Sequence, residues 1–465
     1  MMSLTGPLKS EPVLRTEFSC WLPIRITASK YVRRSAITLK LSAMEVKDRI
    51  SGLPLDILAH ILGLLRIEEA AKSAILCTSL RDAWLSLSHL NFDSHFFKYI
   101  QDHYIAESSQ SPMSVIDTII IKHNGPIRKF VFDCNLIRLP LPYCRWELLR
   151  HWGNDNDDCN FIRPRKDKSR WLDFDEWLHC LTQSGVEEMH LSFGQHTAYI
   201  LPDCIYSCPS LKTLHLSGVC FEQVSTACIF LNVTTLLLEN IQFDHRKCSA
   251  AELPMLRNLT CESISGFNFT APKLRSLRFR ACEYYIVGRN SCLILPVTLD
   301  LRTIHSVHLE TIDLERFVSE LTWAGQEQTT LNVEHLQLRL YDKYSDNIST
   351  CFHLLRMCPL LIKLDIHLTF GAGVASAEEL LELPEHTLAQ TFDTIRDLSI
   401  VCWFQGSDPE MLFFKWLLCR FPALEKVLFY PNYMYSGHNP CEDMETLLCF
   451  LRFDREVEIS YSVLY

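Results

Sequence analysis

The sequence has little of what marks a membrane protein, a cofactor enzyme or a secreted disulfide scaffold. No stretch of its 465 residues reaches the roughly 18 consecutive apolar residues that a membrane-spanning helix needs. It carries no Walker-type loop and no dinucleotide fingerprint, so no phosphate-bearing cofactor is implied. Glycine and proline are sparse, at 15 and 20 residues, which argues against a fibrous or low-complexity chain. A cationic excess is missing too. The 45 basic and 55 acidic residues leave a formal charge of -10, without the positive field that drives general nucleic-acid binding.

Cysteine is plentiful, at 20 residues, but scattered from Cys20 to Cys449 with no Cys-x-x-Cys pair. That distribution reads as reduced core thiols rather than a disulfide framework. Cys204 and Cys208 lie near each other, yet no further ligands at zinc spacing accompany them, so no metal is expected. Hydrophobic residues make up 48% and charged residues 22%, a globular composition. The length exceeds what one core usually serves and predicts several domains or an elongated repeat array.

Residues 1-44 carry Lys9, Arg15, Arg25, Lys30, Arg33, Arg34 and Lys40 against only Glu11 and Glu17. They read as a basic leader, either a transit-peptide-like segment or an extension upstream of a true start at Met44. From Asp48 the pattern sharpens. Leu53-Pro54 opens a helix, with Pro54 suited to the first helical position and Asp56 placed well for the first turn. Ile57, Leu58, Ile61, Leu62 and Leu65 recur at helical spacing and predict one apolar stripe. A second short helix is expected from Glu68 to Ile75. A third is expected with Ser79 and Asp82 as a capping box and Leu80, Ala83, Trp84 and Leu87 as its buried face. Three helices in about forty residues make a small core, so a partner or the next domain should cover part of it.

Beyond residue 125 a triplet recurs, apolar at positions one, four and six. Its first positions are Ile127, Val186, Leu211, Val233, Leu256, Leu274, Ile304, Val333, Leu361, Ile395 and Leu424. From Val186 the mean spacing is about 26 residues, inside the range of roughly 20 to 29 for leucine-rich repeats. A stricter motif, Pro-x-Leu-x-x-(Leu/Val), starts at Pro209, Pro254, Pro272, Pro359 and Pro422. Segments such as 352-357 and 413-418 read as helices that precede a strand. The Asn or Cys of a regular repeat, eight residues after the first apolar position, occurs only as Asn135, Cys282 and Asn432, which predicts an irregular array. The fold class expected is α/β: a three-helix module, then parallel strands on the concave face with helices on the convex face.

The residues Asp48-Arg49-Ile50-Ser51-Gly52-Leu53-Pro54, the stripe to Leu65 and Ala83-Trp84 resemble a plant F-box. The resemblance continues through Trp171 to Trp177 before Val186, and through 394-430 with Phe421-Pro422-Ala423-Leu424. There the chain is similar to plant F-box/FBD/LRR-repeat proteins. The domain plan is then a leader at 1-44, an F-box-like domain at 48-92, a linker helix region at 93-124, a repeat array at 125-385 and FBD-like repeats at 386-460. The resemblance implies a substrate receptor of a cullin-based ubiquitin ligase, in the nucleus or cytoplasm, without catalytic residues or cofactor. It implies that Leu53, Pro54, Ile57, Leu58, Ile61, Leu62, Leu65 and Trp84 lie at or behind the surface for a Skp-type adaptor, while the repeats hold an unknown protein substrate. Two departures are visible. Cys77-Thr78-Ser79-Leu80 stands where the family usually has Ser-Lys-Arg-Trp, and Arg66 where a Pro commonly follows the first helix. They favour the alternative of a repeat scaffold with a decayed box.

Three other clusters read as unspecialised surface. His179-Cys180 are adjacent and cannot face each other on a helix. Asp155, Asp157 and Asp158 lack the Gly and Glu of a calcium loop. Arg163, Arg165, Lys166, Lys168 and Arg170 form a basic run of the kind common in exposed loops.

Overall fold

The computed structural model describes residues 50, 52-102, 112-134, 172-193, 199-221, 229-243, 251-262, 264, 269-280, 303-310, 318, 330-341, 346-369, 391-403, 417-432 and 458-461. The leader, the acidic cluster, the basic run, Asn135 and Cys282 lie outside them. The chain divides into two units, 1-196 and 197-465.

The first unit begins with α1 (Leu55–Gly63), α2 (Ile67–Ser73) and α3 (Thr78–Leu85). Pro54 sits one place before α1, as its N-cap, and its carbonyl accepts from Ile57 and Leu58. The capping box expected at Ser79 and Asp82 does not form. Here α3 starts at Thr78, its N-cap is Cys77, and no side chain caps it. Leu80 is half-buried, whereas Ala83, Trp84 and Leu87 are buried.

Leu87, however, belongs to the next element. Two residues on, β1 (His89–Phe92) begins, and Leu87, Leu90 and Phe92 are all buried at the one-four-six spacing. This is a further repeat unit, hidden in sequence by its overlap with the helix. It pairs in parallel with β2 (Lys129–Asp133), which pairs with β3 (Glu188–Ser192). Helices α4 (Ser94–Ile100) and α5 (Pro112–Lys122) occupy the stretch between β1 and β2, and α6 (Leu172–Gln183) precedes β3. Asp93 caps α4 by accepting from the amides of His95 and Phe96, both at 3.0 Å.

Aromatic side chains fill this core. Phe132 lies 5.4 Å from Phe97, 4.9 Å from Phe174 and 5.6 Å from Phe193, ring centre to ring centre. Trp177 donates its Nε1–H to Asp117 at 3.0 Å, tying α6 to α5.

In the second unit ten parallel strands pair strictly in chain order. They are β5 (Thr213–Ser217), β7 (Thr235–Glu239), β10 (Asn258–Glu262), β12 (Ser276–Arg280), β13 (Ser306–Glu310), β14 (His335–Tyr341), β15 (Lys363–Thr369), β16 (Asp397–Trp403), β17 (Lys426–Asn432) and β18 (Glu458–Tyr461). Every triplet read from the sequence lands on a strand. Each of β2, β3, β5, β7, β10 and β12 to β17 starts two residues after its first apolar position, and all three apolar positions are buried in every copy. Tight turns feed the strands at the proline motifs. The amides of Leu256, Leu274, Leu361 and Leu424 donate to the carbonyls of Leu253, Ala271, Cys358 and Phe421, with the motif proline in the turn position it favours. At each step one carbonyl, for example that of Lys212, Thr234, Arg257 or Arg275, accepts from the next repeat.

The layer returning between strands is less helical than the sequence reading expected. Among the described residues it is helical at α7 (Asp203–Tyr206) and α8 (Asp346–Met357). It is extended at β4 (Tyr199–Ile200), β6 (Val219–Phe221) and β8 (Gln242–Phe243), which pair in parallel, and at β9 (Ala251–Glu252) with β11 (Phe269–Thr270). Repeat length explains the difference. From Asn258 to Ser276 is 18 residues, enough for a strand, a return and a turn, whereas the 28 residues from His335 to Lys363 accommodate α8. Phe352 stacks on Phe392 at 5.9 Å, and Phe392 meets Phe421 tilted at 6.0 Å.

Candidate protein-interaction surfaces

The apolar positions of α1 divide between two faces. Leu58 and Leu62, one turn apart, are 1% and 2% exposed and pack towards α3, where Ala83 and Trp84 are buried. Ile57, Ile61 and Leu65 point the other way and stay open to solvent, and Leu55 and Leu64 join them. Pro54 is exposed and Leu53 half-buried. The stripe covers a wide arc, which sequence spacing alone does not divide. Three helices supply only enough cover for half of it.

Of the twelve large hydrophobic side chains exposed among the described residues, eight lie between Ile50 and Leu76. Ile75 and Leu76 contribute to that eight from just past α2, with Leu76 the most open. Such a concentration in one small module makes an apolar patch, the kind of surface at which proteins commonly meet partners. Of the sequence-derived residues, Pro54, Ile57, Ile61 and Leu65 are on its surface, while Leu58, Leu62 and Trp84 support it from within. The sequence reading missed Leu64, Ile75 and Leu76.

The second unit presents the alternate residues of its strands on the side away from the core. Their fifth positions form a charged row: Glu262 pairs with Arg280, Arg280 with Glu310, and Glu310 with Arg339 in consecutive strands. Arg280 donates to Glu310 at 2.9 Å and Glu262 at 3.2 Å, and Arg339 donates to Glu310. Burial alone would raise the Glu310 carboxyl, but Arg339 and Arg280 outweigh it and hold it below its ordinary value. The same carboxylates, working against burial, strengthen the charge on Arg280. Beside the row, His335 Nε2 and Lys363 converge on Asp365 at 2.7 and 3.4 Å. Burial and the neighbouring Arg278 push His308 down to about 4, so this ring is neutral. These charges hold one another and leave an ordered, hydrogen-bonding surface.

Nothing in the described residues assembles a reaction centre. His179 and Cys180 are exposed on α6, and His179 pairs with Gln183 at 2.9 Å. Cys208 is buried beside Ser210. Among the described residues no group of three His, Cys, Asp or Glu side chains is placed to hold a metal ion, and no helix is long and apolar enough to cross a membrane.

A small helical module with an open apolar face and parallel strands of leucine-rich-repeat type are consistent with an F-box followed by a leucine-rich-repeat array. Comparison with known proteins places the chain more closely. It is 25% identical over 244 residues to an F-box/LRR-repeat protein of Arabidopsis thaliana, covering 50% of this chain and 55% of that one. It is 29% identical over 253 residues to a putative F-box/LRR-repeat protein of the same plant, covering 50% and 52%. A putative F-box/FBD/LRR-repeat protein, also from Arabidopsis thaliana, is 25% identical over 275 residues, covering 55% and 58%. The chain spans about half the length of the curated relatives it matches. No protein-family model matches it. The relatives it matches are thus F-box/LRR-repeat and F-box/FBD/LRR-repeat proteins of one plant, similar to this chain over about half its length.

Proposed function

We propose that this chain is the substrate-recognition subunit of a cullin-type ubiquitin ligase, in the nucleus or cytoplasm. Its helical module docks a Skp-type adaptor, and its repeats hold the protein to be modified. The observation that carries this reading is the open apolar face around Ile57, Ile61, Leu64, Leu65 and Leu76, in the segment that resembles an F-box. A module this small gains by burying such a face against a partner, at about 25 cal/mol per Å² of apolar surface removed from water. Pro54, Ile57, Ile61 and Leu65 would touch the adaptor. Leu58, Leu62 and Trp84 would hold α1 and α3 in place behind them. The chain would contribute position, not chemistry, since catalysis in such ligases belongs to other subunits.

The test is co-expression with a Skp-type adaptor followed by size-exclusion chromatography. Co-elution supports the receptor. A second reading, a repeat scaffold with a decayed box, is favoured by Leu80, half-buried where the family usually carries Trp, and by the missing basic pair before it. Elution apart from every adaptor tried would support the scaffold instead.

A further inference from the structure

The outward face of the second unit is not uniform along its strands. At the N-terminal ends of β5, β7, β10, β12 and β13, the residues just before each strand are Lys212, Thr234, Arg257, Arg275 and His305. They are bound in sequence: the carbonyls of Lys212, Thr234, Arg257 and Arg275 each accept from the amide of the next member at 2.8 to 2.9 Å. The row beside them, the first residue of each strand, is Thr213, Thr235, Asn258, Ser276 and Ser306, paired in register. Neither row contains an acidic residue. Lys212, Arg257 and Arg275 are exposed, and Arg257 and Arg275 make no ion pair among the described residues. His305 closes the row, 3.7 Å from Glu334 on the following repeat. Beyond it acids return, as Glu334 and Glu425.

We propose that this rim is the docking line for an acidic, extended segment of the protein that the repeats capture. The inference rests on the receptor reading and names the chemistry of its substrate. The cations supply charge, and the adjacent hydroxyls and amide supply short hydrogen-bond donors, the combination that recognises carboxylates. The chain as a whole carries a formal charge of -10, so a rim with no acid in it is a local inversion that draws an anionic partner to one place. Four strand steps of about 4.8 Å make a line of roughly 19 Å, matched by about six residues of extended polypeptide. No Phe, Tyr or Trp stands in either row for a base to stack on, which favours polypeptide over single-stranded nucleic acid.

The experiment measures binding of a fluorescent peptide of alternating Glu and Ser to the full chain, to Arg257→Glu/Arg275→Glu and to Arg257→Gln/Arg275→Gln. Both arginines are exposed, and circular dichroism checks that the variants remain folded. The parent should bind. The charge reversal should weaken binding about tenfold or more, with the Gln pair in between, and added salt should weaken the parent. A matching Lys and Ser peptide should not bind the parent. Equal affinity for all three proteins, no binding by the parent, or binding only of a phosphoserine peptide would overturn the proposal. The receptor reading fails separately, through loss of adaptor binding by the parent chain, which the rim substitutions leave untouched.

Discussion

His123, just past α5, bonds to the main chain of Leu87, the first apolar position of the first repeat. The imidazole Nε2 lies 2.7 Å from the Leu87 carbonyl, which only accepts, so Nε2 carries the proton. Nδ1 then accepts from the Gly125 amide at 3.2 Å, and the ring is fixed in its neutral form. The amide of Asn124 adds a bond to the Leu85 carbonyl at 2.8 Å.

This geometry sets a pH dependence. Burial lowers the His123 pKa below its ordinary 6.5, outweighing the bond to the Leu87 carbonyl, which favours the charged ring. As the pH falls below 6.5 the unfolded chain takes up the proton before the folded one, so stability is full above that value and declines beneath it. Hydrogen-exchange protection factors of the first unit, which correct for the intrinsic pH dependence of exchange, should therefore fall as the pH is lowered from about 7.5 to about 5.5, and His123→Ala should flatten that trend while costing about 1 kcal/mol. A parent protein with the same protection at both pH values would contradict the assignment.

Gly125 is required for close approach. A Cβ there would meet Ser86 Cα at 3.0 Å and the Ser86 carbonyl oxygen at 3.1 Å, backbone that cannot swing aside. Gly125→Ala should cost about 1 to 3 kcal/mol in thermal or chemical unfolding. Gly63, the last residue of α1, offers the control: nothing lies within 4 Å of its Cβ position, so Gly63→Ala should be neutral or stabilise by up to about 1 kcal/mol.

Glu310 anchors the charged row of the second unit. Its carboxyl, held low by Arg339 and Arg280 despite burial, contributes stability that is present above the ordinary value of 4.5 and is lost as the pH falls through the lower folded value. Glu310→Gln should cost about 1 to 3 kcal/mol at neutral pH, because it leaves Arg339 and Arg280 facing a neutral group. The loss should shrink in acid, where the parent is protonated too. Denaturant titrations of both proteins across that range read out the difference.

Much of the repeat fold was legible because its signal is local. The residues at positions one, four and six, Leu256, Leu259 and Cys261 for instance, mark a strand wherever neighbouring units stack on it, and each strand follows its triplet by a fixed offset. The triplet at Leu87, Leu90 and Phe92 was equally present, but Leu87 also continues the apolar spacing of α3 and was absorbed into the helix. The faces of α1 were not legible. Ile57 and Leu58 are equally apolar, and only the placement of α3 decides that one is covered and the other open. The charged row was out of reach for a different reason: Glu262, Arg280, Glu310 and Arg339 are 18 to 30 residues apart from one partner to the next, and only strand register brings them together.

The central claim concerns the open face of α1, and a pull-down of residues 44-465 against a Skp-type adaptor tests it most directly. The parent is compared with Ile57→Asp/Ile61→Asp, which charges the exposed face and leaves Leu58 and Leu62 in the core. The account predicts that the parent retains the adaptor and that the double variant, folded as judged by circular dichroism, loses it. Equal retention by both proteins, or no retention by the parent, would contradict it.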